Sequence, residues 1–191
     1  GHGGMTGQML EKIEEVLVKE KPDVVVVYGD TNSTLAGALA AKKLGIKVAH
    51  VEAGLRSFNM AMPEEVNRIL TDRISDLLLC PTITALSNLK KEGFDSFDAK
   101  VALTGDIMGD SVAFYSELSA ERSEIIKKLD LKGKKFVLGT IHRQENTDDP
   151  KILASIMKGL NDISDDTLVV MPLHPRTRMM MEKFDLSFNG L

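Results

Sequence analysis

The sequence predicts an α/β protein built on parallel sheets, and three observations carry the prediction. Short apolar or β-branched runs alternate with longer stretches of helical period along the 191 residues. Glycine, proline and small polar residues punctuate the joins. The strand-then-helix rhythm repeats without a hairpin signal, which implies right-handed crossovers between parallel strands.

Residues 8–20 read as an amphipathic helix, with Leu10, Ile13, Val16 and Leu17 on its apolar side. The preceding Gly1-His2-Gly3-Gly4 reads as a cloning scar or a loop tail and is set outside the fold. Pro22 separates the helix from Val24–Tyr28, a run expected to be a strand covered on both faces. Gly29-Asp30-Thr31-Asn32-Ser33 is a turn and helix cap, followed by the alanine-rich helix 35–44 and Gly45. Strand 46–51 runs into Glu52-Ala53-Gly54-Leu55-Arg56 and a loop ending at Pro63. Pro63 suits the first turn of a helix reaching to about Ser75, and Glu64 and Glu65 suit its positive end. Strand 77–80, helix 82–92 and strand 101–104 follow. Residues 105–119 mix turn signals with helix and mark a domain junction; 123–129 is helical. Strand 136–141, helix 150–163, strand 168–171 and a helix after Pro175 form a second set, and 185–191 has no closing element. The expected domains are therefore 5–110 and 111–191. Met179-Met180-Met181 reads as part of the amphipathic helix after Pro175.

Hydrophobic residues make up 43% and charged residues 27%, the mixture of a globular chain with a real core. A net charge of -4 provides no electrostatic footprint for nucleic acid, so an anionic ligand needs a local site. No run approaches membrane-spanning length. The single cysteine, Cys80, excludes an intrachain disulfide and fits a reducing, cytoplasmic compartment. Neither G-x-G-x-x-G nor a Walker A sequence is present. No histidine–carboxylate spacing suits a metal, so none is expected, and Ser33 and Ser57 lack a nucleophile-elbow context.

Chemistry concentrates where strands end. Asp30 and Glu52 each follow a strand, and so both project from the carboxyl edge of one sheet, where α/β proteins bind ligands. Glu64 opens the helix after the second loop. Structural roles compete with a chemical one: Asp30 as a helix cap, Glu64 as a complement to the helix dipole, and Glu52 as an ion-pair partner of Arg56 or Arg68. Thr140-Ile141-His142-Arg143-Gln144-Glu145-Asn146 also follows a strand, and His174-Pro175-Arg176 repeats the histidine–arginine pattern after the next one. Such pairs can meet phosphate or sugar oxygens.

Four ordered motifs, GDTNST, HVEAGLRS, MPEEVNRILTD and HRQEN, resemble those of the non-hydrolysing UDP-N-acetylglucosamine 2-epimerases. The similarity runs from about Met5 to about Arg178 and includes the long segment VVVVYGDTNSTLAGALAAKKLGIKVAHVEAGLRS. It implies a GT-B-like architecture of two Rossmann-like parallel-sheet domains, here each incomplete. By position, Asp30, Glu52 and Glu64 match the family's catalytic carboxylates and His142 its catalytic histidine. Arg143 and His174 match contacts to nucleotide sugar or effector, and Arg68 is grouped with the substrate-binding residues. The implied reaction interconverts UDP-N-acetylglucosamine and UDP-N-acetylmannosamine by elimination and re-addition of UDP. It needs no cofactor, because no hydride leaves. Crowded carboxyl groups can acquire different proton affinities and divide the acid and base roles. The resemblance also implies a homodimer. The family's opening glycine- and arginine-containing phosphate loop and its later serine- and glycine-rich loop are absent. The chain thus resembles the middle of a longer enzyme, with little turnover and poor UDP affinity expected of it alone. Alternatives are an epimerase of UDP-2,3-diacetamido-glucuronic acid, a GT-B glycosyltransferase, and a non-catalytic nucleotide-sugar sensor.

Overall fold

The structure, a computed structural model, describes residues 1–191 and divides into two compact units, Gly1–Glu117 and Leu118–Leu191. In the first unit the order is α1 (His2–Glu20), β1 (Val24–Tyr28), α2 (Asn32–Lys43), β2 (Lys47–Val51), α3 (Pro63–Ile74), β3 (Leu77–Cys80), α4 (Ile83–Lys91) and β4 (Lys100–Leu103). Helix α5 (Ile107–Arg122) carries the chain into the second unit. The four strands form one parallel sheet in the order β1-β2-β3-β4. The second unit holds α6 (Ile125–Lys128), β5 (Phe136–Leu138), α7 (Gln144–Thr147), α8 (Pro150–Asp166), β6 (Leu168–Val170) and α9 (Pro175–Lys183), with β5 and β6 parallel.

Alanine decides how the first unit packs. Ala36, Ala38, Ala40 and Ala41 of α2 are fully buried, and small side chains let α1 and the sheet approach that helix closely. Leu17, Val27 and Val48 complete this cluster. A second cluster, Ala53, Leu78, Cys80, Ala85, Leu89 and Phe94, joins β3 to α4. The second unit is centred on Leu153, Met157, Met171 and Met181, so part of the methionine run is core, while Met179 faces outward.

Four expectations change. The glycine-rich start belongs to α1: the Met5 N–H reaches the Gly1 carbonyl at 3.1 Å, and the His2 ring meets the Asn32 amide at 3.1 Å. This tertiary contact accompanies a helical turn that glycine propensity disfavours. Strand β1 is covered on one face only, because Val24, Val26 and Tyr28 of this edge strand remain 48–58% exposed. Val16 is also exposed rather than on the buried side of α1. Residues 107–122 are one continuous helix, although none of its side chains is buried. Apolar residues occur around its whole circumference, so no periodic stripe announces it.

Candidate active site

The carboxyl edge of β1 and β2 is built from the turn outward. The Gly29 N–H donates to Val51 O at 3.1 Å, carrying the β1–β2 register one residue beyond the strands. Gly29 has φ +65°, and a Cβ there would lie 3.2 Å from Glu52 Oε2, so the Glu52 carboxyl rests against the Gly29-Asp30 turn. Glu52 itself adopts φ +70°, a left-handed conformation that costs an ordinary residue about 1–2 kcal/mol. It aims the first side chain beyond β2 back along the sheet edge.

Asp30 is not the cap of α2. Thr31 takes that role in a capping box with Thr34, which leaves the Asp30 carboxylate free for other partners. Its partner is Arg68, whose guanidinium pairs with Asp30 through Nη2 and with Glu65 through Nη1 at 2.6 Å. Burial alone would lower the Arg68 pKa, but hydrogen bonds and attraction to Asp30 and Glu65 outweigh it, and the net shift is upward. Asn67 also holds the turn, donating to Asp30 O at 2.9 Å and Asn32 Oδ1 at 3.1 Å.

The adjacent glutamates of α3 have different surroundings. Glu65 is 1% exposed and accepts the N–H groups of Ser57 at 2.9 Å and Phe58 at 2.8 Å. Burial pushes its carboxyl up, but those two amides, the Ser57 hydroxyl and Arg68 together hold it below the usual carboxylate range. Glu64 is half-buried and engages in none of these bonds. It precedes Asn67 and Arg68 by three and four residues, so it shares the helix face that contacts the Asp30 turn. The Asp30 turn and Glu52 thus meet at one edge, Glu64 lies on the helix face that contacts that turn, and of the three only Asp30 is engaged in an ion pair.

Glu52 pairs with neither arginine suggested for it. Arg56 instead donates through Nη1 to Asp72 at 2.7 Å and through Nε and Nη2 to Glu92, both at 2.7 Å. Burial works against the charged Arg56, yet its bonds to Glu92 and Asp72 raise its pKa overall. Behind the edge sits a polar group that sequence reasoning missed: His50, Asp72 and Glu65 are all essentially inaccessible. A histidine inside the apolar strand KVAHV and an aspartate on the buried face of α3 were the available signals.

In the second unit, His142, Arg143 and His174 are all exposed beyond the carboxyl ends of β5 and β6. The His142 and His174 rings lie 6.1 Å apart. His174 caps α9: its Nδ1 accepts the Arg176 N–H at 3.2 Å, so the neutral ring presents Nε2–H outward as a donor. Arg143 precedes α7 and lies 3.7 Å from Glu145. Arg176 is occupied by Thr147 at 3.2 Å and by Asp148, whose carboxyl that hydrogen bond holds below its usual range.

The two parallel-sheet units, with the solved structures they match, place the chain among GT-B-like α/β proteins. The family model for UDP-N-acetylglucosamine 2-epimerase matches residues 1–189. A Pseudomonas aeruginosa UDP-2,3-diacetamido-2,3-dideoxy-D-glucuronate 2-epimerase is 55% identical over 97% of this chain and 51% of its own. A Methanocaldococcus jannaschii UDP-N-acetylglucosamine 2-epimerase is 46% identical, with the same shares covered. The crystal structure of the Methanocaldococcus jannaschii UDP-GlcNAc 2-epimerase in complex with UDP-GlcNAc and UDP matches with a TM-score of 0.86 at 44% identity, covering 97% of this chain and 51% of that one. The chain belongs to the UDP-N-acetylglucosamine 2-epimerase family. It spans about half the length of the curated relatives it matches.

Proposed function

We propose that this chain supplies acid–base groups for inversion at C2 of a UDP-N-acetylhexosamine, interconverting UDP-N-acetylglucosamine and UDP-N-acetylmannosamine. The observation that carries the reading is the meeting of the Asp30 turn and Glu52 at one sheet edge, with Glu52 held there at φ +70° and Glu64 on the helix face that contacts the Asp30 turn. The C2 hydrogen of an aminosugar is not acidic enough for direct removal to be a good route. Elimination solves this: the C1–O bond to UDP breaks, a carboxylate takes the C2 proton, and a C1=C2 double bond forms. Return of a proton to the opposite face of C2, with UDP oxygen re-bonding to C1, completes the inversion. No electrons are exchanged with a cofactor. One face needs a base and the other an acid, hence more than one carboxyl group.

His142, Arg143 and His174 are proposed to contact the nucleotide sugar, donating to phosphate or sugar oxygens. Arg68 uses one hydrogen on each Nη for Asp30 and Glu65, which leaves a second on each for a ligand oxygen. We further infer a homodimer acting in the cytoplasm and serving cell-surface polysaccharide synthesis, in keeping with the family resemblance. No helix is long and apolar enough to cross a membrane.

A second reading, an epimerase of UDP-2,3-diacetamido-glucuronic acid, is favoured by the 55% identity to the Pseudomonas aeruginosa relative. Both are tested by incubating the protein with each UDP-sugar in heavy water and following C2 by proton NMR. Deuterium at C2, lost in Asp30→Asn, Glu52→Gln or Glu64→Gln, is expected. The better-exchanged sugar identifies the substrate. Sugar transfer without C2 exchange, or binding without either, overturns the proposal in favour of a transferase or a sensor.

A further inference from the structure

We infer that the buried pair His50–Asp72 is a positioning device that holds the Asp30 and Glu52 turns in register with each other. The kinetic part of this inference rests on the epimerase reading; its structural part does not.

The argument begins with what a buried histidine requires. His50 is fully inaccessible in the middle of the sheet, so both ring nitrogens need protein partners. Nε2 lies 2.8 Å from Gly29 O, which can only accept, so Nε2 carries a hydrogen. Nδ1 lies 2.7 Å from Asp72 Oδ1, and a proton lies between them. The Gly29 carbonyl and the Asp30 N–H belong to one peptide plane. Fixing that carbonyl therefore fixes the orientation from which the Asp30 side chain departs.

Asp72 acts on the other turn. Its second oxygen accepts the Gly54 N–H at 3.0 Å and Arg56 Nη1 at 2.7 Å. Asn88 closes the same turn from α4, donating to Gly54 O at 3.0 Å. Glu52-Ala53-Gly54 is the turn whose first residue is left-handed and whose third, at φ +79°, has room for no side chain. A left-handed glutamate persists only where its surroundings over-determine it. Asp72 supplies that constraint from α3, while His50 ties the same carboxylate to the Gly29 carbonyl. One buried pair thus bridges the two turns that present two of the three carboxylates, and neither residue lies at the exposed edge where substrate would sit.

The test uses His50→Phe, which keeps a planar ring, though a larger one, and removes both hydrogen bonds, and His50→Gln, which retains a donor for Gly29 O. The control is Thr71→Val, next to Asp72 but outside the bonded group. In the unaltered protein, a strongly deshielded proton correlated with His50 Nδ1 is expected by NMR. In His50→Phe, amide exchange accelerates at Gly29, Ala53 and Gly54, while the Leu78 and Leu79 amides of β3 stay slow. C2 exchange falls about 10- to 100-fold in kcat, the cost of small misplacement, with KM retained. His50→Gln recovers part of the loss, and Thr71→Val matches the unaltered protein in kcat and shows no faster exchange at the three amides. Unchanged protection at the three amides, uniform loosening that includes β3, or an unaffected kcat overturns the inference. If the unaltered protein shows no C2 exchange at all, the epimerase reading fails, and the NMR and amide measurements still decide whether the pair positions the turns.

Discussion

Two neighbouring glutamates allow structure and chemistry to be separated by one pair of substitutions. In Glu65→Gln, a carboxylate that collects the Ser57 and Phe58 amides and Arg68 is replaced by a group with one acceptor oxygen and one –NH2. At least one of the three donors must then face another donor. Hydrogen bonds to a charged group are each worth about 1.5–3 kcal/mol, and an orphaned buried donor adds its own desolvation cost. The expected loss is about 2–4 kcal/mol at neutral pH. Phe58, at φ +58° and 77% exposed, loses one of the contacts that hold its unfavourable conformation. Glu64→Gln, at a half-buried position engaged in none of these bonds, is expected to stay within about 0.5 kcal/mol of the unaltered protein while abolishing C2 exchange. Urea unfolding followed by tyrosine fluorescence reports the first unit specifically, because both tyrosines, Tyr28 and Tyr115, lie in it and the chain has no tryptophan. The pH dependence provides a second signature. The Glu65 carboxyl is depressed in the folded state, so its contribution is full above the unfolded value near 4.5 and is lost as pH falls through the lower folded value. The stability gap between the unaltered protein and Glu65→Gln should therefore narrow only below about pH 4.5. Equal destabilisation by the two substitutions, or a gap that vanishes already at pH 6, would refute the clamp.

Three further outcomes follow from the same geometry. Gly54→Ala places a Cβ 2.6 Å from Ala85 O at φ +79°, so backbone must move; a large drop in thermal midpoint and loss of Gly54 amide protection are expected. Thr71→Val removes a fully buried hydroxyl that has no hydrogen-bond partner, and should raise stability by about 1 kcal/mol in urea titrations. Burial and the nearby Asp72 charge push the Cys80 thiol up to about 11, only partly offset by Arg56, so reaction with a thiol reagent at pH 8 should track unfolding rather than proceed in the folded state.

What the sequence by itself determined is the local layer. The order of strands and helices, the Thr82 start of α4 and the Pro63 start of α3 follow from periodicity, caps and proline, all of which act within a few residues. The position of Asp30 and Glu52 at a sheet edge follows equally, because a residue just after a parallel strand can be nowhere else. The ordered motifs identified the family. Tertiary structure alone decided which charges meet. Arg68 reaches Asp30 across 38 residues, Arg56 reaches Glu92 across 36 and His50 reaches Asp72 across 22, and no local pattern ranks such partners. The same holds for the difference between Glu64 and Glu65. Both suit the positive end of a helix, and only the path of the 57–62 loop over the first turn of α3 turns one into a buried clamp and leaves its neighbour free. Partner choice among buried charges depends on desolvation and on distances set by packing, and these exist only once the sheet and its helices have assembled.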